Sequence, residues 1–311
     1  MSLEEETFRA YTQAQGSNYA VGRPGYSPKL YEIIIGHHTS TGGQLDTVID
    51  VGCGTGQASL DLATYFTHTI GLDPSEGMIS AARASAKSAN FPIRFEVSDA
   101  EALGVDLKPP IADVSVDLLT AATAAHWFDM ARFWTSAARV LKPGGTVALW
   151  ARTGMAVDPI RTLNGVAVKA VVDEIFTNEL QTFSKLGSKL TRDLYVDLPL
   201  PWTLNPPVEG FDQGSFFRKE WNKYRDGRNN NDLGTGTIVT TEEFENLIGT
   251  NSTVTRWREA HPDKVGTEED IGRKMRKRIE SLLHEAGVEP DEEVLTGQVA
   301  IVLLMVKKDV A

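Results

Sequence analysis

The chain has 311 residues, 41% hydrophobic and 23% charged, the balance of a globular protein whose length fits one enlarged domain or one domain with a cap. No stretch reaches the roughly 20 apolar residues of a membrane span, and a formal charge of −11 argues against a nucleic-acid substrate, because phosphate contacts come mainly from Lys and Arg. Cys53 is the only cysteine, so no intrachain disulfide can form, and no Cys/His cluster has zinc-ligand spacing, so no metal is expected.

In chain order, the acidic start Met1-Ser2-Leu3-Glu4-Glu5-Glu6 has neither the basic segment nor the apolar core of a secretory signal, and a cytoplasmic protein is expected. An arm rich in aromatic residues, Tyr11 to Tyr26, precedes a helix-like run after Pro28. Val48 to Val51 then reads as a buried strand, and Gly52, Gly54 and Gly56 follow at once. Three glycines let the backbone turn sharply and approach a ligand, while Ala58 to Phe66 reads as a helix whose amino end points at it. A dinucleotide loop needs glycine at the first, third and sixth places, and the sixth place from Gly52 is Gln57, which weakens a nicotinamide reading. Ile70-Gly71-Leu72-Asp73 ends a second strand with an acid 21 residues after Gly52, where an open α/β sheet places the acceptor for a ribose diol. A third strand, Ile93 to Val97, is followed by Asp99, and an alanine-rich helix to Ala89 lies between. Val116 to Thr120 reads as a fourth strand, and Ala121 to Asp129, containing His126, Trp127 and Phe128, leaves its carboxyl end, the ligand edge of a parallel sheet.

This order, a glycine turn and two acids after successive strands, resembles the class I S-adenosylmethionine-dependent methyltransferases. Tyr19 to Tyr26 and the Ala-x-x-x-His-Trp-Phe-Asp string ending at Asp129 resemble the trans-aconitate methyltransferase-like branch, and Leu141-Lys142-Pro143-Gly144-Gly145 resembles a structural turn of the class. The resemblance runs from about Tyr19 to Trp150. It implies a three-layer Rossmann-like α/β sandwich with a mainly parallel seven-stranded sheet and a cap inserted after the fifth strand. It implies S-adenosylmethionine as cofactor and S-adenosylhomocysteine as product. The cofactor contacts it implies are Tyr19, Arg23, Asp50, Gly52, Cys53, Gly54, Gly56, Asp73, Pro74, Met78, Asp99, Ala100 and Ala121. Arg23 would pair with the cofactor carboxylate, Asp73 would take the ribose, and Asp99 and Ala100 would meet the adenine. Met78 would lie under the ring or belong to the core, and Asp99 can equally cap a helix. His126, Trp127 and Phe128 would bound the substrate, with His126 positioning the acceptor, acting as a base or serving only structure.

Beyond the helix Met130 to Val140 and a fifth strand, Thr146 to Trp150, the signal fades. Val157 to Leu186 is compatible with helices, the proline-rich Leu198 to Pro207 reads as a loop, Phe211 to Trp221 as a sixth strand, and Asp226 to Gly236 as a polar loop. Thr240-Thr241-Glu242-Glu243 opens a helix with a cap. Asn251 and Ser252 lie in a run that resembles a substrate-facing loop of related enzymes, with helix capping as the equal rival. The basic run Arg273 to Arg278 reads as a solvated helix face rather than an acid-substrate pocket, and Val299 to Val306 as the last, antiparallel strand. The expected division is an arm and cofactor half over 1–150, a substrate cap over 151–250, and terminal helices with the last strand over 251–311. The expected activity is O-methylation of a small-molecule acceptor, a carboxylate giving a methyl ester. Methylation of a hydroxyl or amine, a non-transfer reaction on the same cofactor, and a nicotinamide oxidoreductase are the alternatives.

Overall fold

A computed structural model describes residues 25–222 and 236–310, together with Arg9, Thr12, Gly16 and Leu233. Tyr19, Arg23 and nearly all of the expected polar loop 226–236 lie outside the described residues. The chain divides into two compact units, residues 1–151, 195–220 and 302–311 in one, and 152–194 and 221–301 in the other. This differs from the expected cap over 151–250, because Tyr195–Glu220 returns to the first unit while 251–301 joins the second.

The first unit is a mixed α/β fold with a Rossmann-like seven-stranded sheet. Its strands are β1 (Thr47–Val51), β2 (His68–Asp73), β3 (Arg94–Val97), β4 (Val116–Ala122), β5 (Leu141–Arg152), β7 (Phe211–Trp221) and β10 (Ile301–Lys308). They lie in the order β3-β2-β1-β4-β5-β10-β7, and the pairings from β3 through β5 are all parallel. The strand order reverses at β1, whose neighbours are β2 and β4, and an open α/β sheet takes its ligand at the carboxyl ends of the strands at such a point. Helix α1 (Pro28–Ser40) precedes the sheet, α2 (Gln57–Leu62) packs on β1 and β2, and α3 (Glu76–Ala89) packs on β2 and β3. Helix α2 stops at Leu62, short of the expected Phe66. Helix α3 starts because Ser75 Oγ accepts from the Met78 amide, and it ends at Asn90 in a left-handed turn (φ 57°). Helix α4 (Met130–Val140) buries Met130, Phe133, Trp134, Ala137 and Val140, the 3–4 spacing of one helical face, behind an Asp129 cap.

The Leu141–Gly145 segment is not a turn ahead of β5 but part of it. Val116 pairs with Leu141 and Leu118 with Thr146, so the strand bulges between them, and Gly144 takes the positive φ (73°) the bulge requires.

In the second unit, β6 (Ala156–Val157), β8 (Gly236–Thr240) and β9 (Val294–Gln298) form an antiparallel sheet in the order β6-β9-β8. Its helices are α5 (Gly165–Asn178), α6 (Leu186–Arg192), α7 (Thr241–Gly249), α8 (Ser252–Ala260) and α9 (Ile271–Glu285). Their core joins Val168 and Ile175 of α5, Phe244 of α7, Trp257 of α8, and Ile271, Met275, Ile279 and Leu283 of α9. The opposite face of α9 carries the basic run, which is ion-paired: Arg273 and Arg276 to Glu245, Arg276 to Glu280, Lys277 to Glu268 and Arg278 to Glu174.

Candidate functional site

The glycine turn is built as the spacing predicts, with Gly52, Gly54 and Gly56 all left-handed (φ 65°, 55° and 82°). Their surroundings separate their roles. A Cβ on Gly52 would stand 2.6 Å from Ala124 Cβ, and one on Gly56 would stand 2.8 Å from Phe95 Cζ, so both glycines are required by packing. A Cβ on Gly54 would meet nothing within 4 Å among the described residues, so its backbone is not covered by them. Its amide donates to Asp73 Oδ2 at 2.9 Å, and the Ser75 amide donates to Asp73 Oδ1 at 2.9 Å. Each carboxylate oxygen keeps lone-pair capacity for a further donor. Burial pushes the Asp73 carboxyl up to about 6, against the opposing pull of those amides.

Asp50, Cys53 and Ala121 are buried around the turn. Asp50 is 0% exposed, and its two oxygens accept from Ser59 Oγ at 2.7 Å and Thr120 Oγ1 at 2.9 Å, tying α2 and β4 beneath the turn. Burial raises its carboxyl to about 6. Cys53 packs with Ile79, Ala82 and Phe95, and its amide is spent on the Leu72 carbonyl at 3.0 Å. Ala121 is sealed within β4, which runs two residues past the expected end. The half-exposed residues at that strand end are instead Ala122 and Thr123. Thr123 has a left-handed backbone (φ 55°), and its Oγ1 lies 2.8 Å from Tyr26 Oη.

Met78 is buried too, and a Cβ on Gly16 would stand 3.6 Å from its Sδ, so it belongs to the core face of α3. Pro74 is half-exposed beside Asp73, whereas Ala100 is buried. Asp99 is half-exposed and ion-paired, with Arg9 Nη2 at 2.6 Å from Oδ1. That partner lies 90 residues away along the chain, and nothing in local sequence signals it.

After β4 a short 3-10 helix, Ala125–Trp127, carries His126. The ring is 5% exposed, Nδ1 lies 2.9 Å from Tyr195 Oη, and Trp127 covers it with ring centroids 4.6 Å apart. Trp127 is half-exposed. Phe128 is buried under Gly52 and packs on Phe133 with centroids 5.2 Å apart. In the second unit, Asn251 caps α8 by accepting from the Thr253 amide at 2.8 Å, and Ser252 is buried in its first turn.

The residues at the carboxyl ends of β1 to β4 fit S-adenosylmethionine. Gly54 offers an approach to bare backbone, Asp73 offers acceptors for two hydroxyls, and Asp99 offers an acceptor for an amino group.

Residues 49–149 match a family of methyltransferase domains. A Dictyostelium discoideum protein named as an inferred methyltransferase is 38% identical over 133 residues, 43% of this chain and 45% of that protein. CRG1 of Saccharomyces cerevisiae, named as an inferred S-adenosylmethionine-dependent methyltransferase, is 32% identical over 136 residues, 44% of this chain and 45% of that protein. The matches therefore span under half the length of these relatives. A solved structure from Anaeromyxobacter dehalogenans, named by inference a type II methyltransferase, is 26% identical with a TM-score of 0.59, covering 93% of this chain and 98% of that one. The family match falls on the strands and turn that make the open carboxyl edge, so residues 49–149 are similar to a methyltransferase domain, on a Rossmann-like fold of the class I kind.

Proposed function

We propose that the protein transfers a methyl group from S-adenosylmethionine to an oxygen of a small molecule, with a carboxylate as the acceptor and a methyl ester as the product. The observation that carries the reading is the Gly54–Asp73 pair, bare left-handed backbone tied to a strand-end acid at the point where the sheet order reverses. When bound, the cofactor supplies a methyl group already activated by its sulfonium, so the protein has to align the acceptor and exclude water. Asp73 would hold the ribose and Asp99, once released from Arg9, the adenine amino group. The small side chains of Ala122 and Thr123 leave room at the end of β4, and Trp127 would border the acceptor.

A carboxylate acceptor is supported by proton accounting. An ionised carboxylate needs no base at neutral pH, whereas a hydroxyl or amine does. His126, the titratable ring nearest β4, is nearly sealed and bound through Nδ1 to a tyrosine, an arrangement suited to holding an acceptor rather than removing its proton. The substrate contacts of Asn251 and Ser252 and the cofactor contacts of Tyr19 and Arg23 belong to this proposal as well. Calorimetry with S-adenosylhomocysteine and a screen of small acids for uptake of labelled methyl test it. Binding of the product together with labelled ester is the expected result, and absence of product binding would overturn the reading.

A further inference from the structure

Trp150 stands near the carboxyl end of β5, in register with Ala122, the last residue of β4. Its side chain is 0% exposed, and its indole Nε1 has no hydrogen-bond partner among the described residues. A buried donor is normally met by protein, water or ligand, because one left bare gives up its hydration for nothing. The equally buried Trp134 follows that rule, with Nε1 donating to the Pro199 carbonyl at 2.9 Å. The Tyr26 and Tyr31 rings stand perpendicular to the Trp150 indole, with centroids 5.6 and 6.2 Å away. An aromatic face takes an N–H only weakly, so neither ring replaces an oxygen.

The backbone beside this donor is strained. Thr123, the residue after β4, is β-branched yet left-handed (φ 55°), where such a side chain crowds its own backbone. Its amide donates to the Trp150 carbonyl at 2.7 Å, and its Oγ1 lies 2.8 Å from Tyr26 Oη. Strain of this kind persists where the surroundings over-determine it, and it gathers at ligand sites. Tyr31 is 2% exposed, whereas Tyr26 is half-exposed, so Tyr26 is the ring that can yield at the surface.

We propose that the Trp150 indole N–H is a binding donor for the oxygen of the methyl acceptor, which reaches it by displacing the Tyr26 ring. An indole N–H donates and cannot accept, so the atom it takes must carry a lone pair; a carboxylate oxygen fits, and an ammonium would leave the donor bare. The bond is stronger to a charged oxygen than to a neutral one, so Trp150 favours an acid. This role rests on the methyl transfer proposed above and deepens it by naming the side chain that singles out the acid.

The test is the indole N–H spectrum of the full chain labelled with 15N-tryptophan. Trp150 is one of six signals, identified by its loss in Trp150→Phe or, should that variant not fold, by elimination with Phe variants of the remaining tryptophans. In the free chain its proton should resonate in the upfield, unbonded range. With S-adenosylhomocysteine and an acid found by the labelled-methyl screen it should move downfield, into the hydrogen-bonded range. A bonded signal in the free chain, the mark of an ordered water, would overturn the proposal, and so would a signal that the acid leaves in place. Trp150→Phe should raise KM for the acid about tenfold while kcat and S-adenosylhomocysteine affinity hold. Tyr26→Phe keeps the ring but drops the Thr123 bond, so it should lower KM about threefold, and a KM unchanged or raised would overturn the displacement of Tyr26. Unchanged KM in a folded Trp150→Phe that still methylates the acid would remove the Trp150 site and leave the carboxylate reading standing. A parent that binds S-adenosylhomocysteine but methylates no acid would remove the carboxylate reading and the site with it, so the two failures are distinct.

Discussion

At the scale of single residues, the glycine turn separates packing from ligand approach. Gly52→Ala places a Cβ 2.6 Å from Ala124 Cβ at a positive φ, whereas Gly54→Ala adds a Cβ that meets none of the described residues. Gly54→Ala should therefore destabilise the chain only by the left-handed penalty, about 1 to 2 kcal/mol, yet lose most of its affinity for S-adenosylhomocysteine. Gly52→Ala should be the less stable of the two by denaturant unfolding, and the reverse order would show that the open face of Gly54 is not where a ligand approaches. Asp73 adds a pH signature. Its carboxyl is pushed up to about 6 by burial, and hydroxyl donors favour its charged form, so affinity for S-adenosylhomocysteine should rise as pH rises through about 6 and level off above it. Below that point the fall should approach on the order of tenfold per pH unit. Asp73→Asn should bind weakly with that dependence removed, and titration calorimetry across pH 5 to 8 is the direct check.

At the scale of elements, the second unit depends on how α8 is tied to the start of α9. Arg258 of α8 forms a fork on Asp270, Nε to Oδ2 at 2.8 Å and Nη2 to Oδ1 at 2.9 Å, while Asp270 also caps α9 through the Gly272 amide at 2.9 Å. Burial by itself would raise the Asp270 carboxyl, but the Arg258 guanidinium and the cap hold it below its ordinary value. Removing one partner of a buried pair leaves an uncompensated charge, so Arg258→Ala should cost about 3 to 5 kcal/mol of stability. Arg278, whose pair with Glu174 is exposed on both sides, should cost under about 1 kcal/mol when changed to Ala. Equal midpoints for the two variants in urea would refute this ranking. The basic run was legible as a helix face because its charges are met by acids, Glu245 and Glu280 partly buried and Glu268 and Glu174 exposed, while the side chains that hold the helix are Ile271, Met275, Ile279 and Leu283.

At the scale of the whole molecule, the acids under the glycine turn make stability depend on pH in the opposite sense to a surface ion pair. Asp50 is raised from 3.8 to about 6 by burial despite the Ser59 and Thr120 hydroxyls, so the folded state binds its proton more tightly than the unfolded state does. Its contribution is therefore most favourable below pH 4 and is lost as pH rises through about 6. Asp50→Asn removes that titration, so measured against the parent it should gain on the order of 3 kcal/mol between pH 4 and pH 7. A parent-to-variant difference that stays flat over this range would mean that Asp50 is ionised in the fold without penalty. The net charge of −11 adds self-repulsion to the compact state as the remaining carboxyls ionise, which is why the comparison is made with the variant rather than on the parent alone.

What the sequence determined by itself was backbone. Three alternate glycines permit the left-handed φ the turn adopts, an apolar run before them makes a strand, and acids stand at the ends of successive apolar runs, so β1, the turn, Asp73 and Asp99 were legible. Thr240 and Glu243 form the expected capping box because a cap is satisfied within four residues. Tertiary structure alone decided which side chains at that edge remain open. Asp50, Cys53, Met78, Ala121 and Phe128 carry the right motif positions but are covered by segments distant in sequence, and the open strand end passes to Ala122 and Thr123. Arg9 on Asp99 and Tyr195 on His126 bridge 90 and 69 residues respectively, and the return of Tyr195–Glu220 to the first unit redraws the expected boundary. Local sequence sets φ, ψ and periodicity, because those depend on neighbours along the chain; burial depends on what folds over a residue, and short-range pattern carries no record of that.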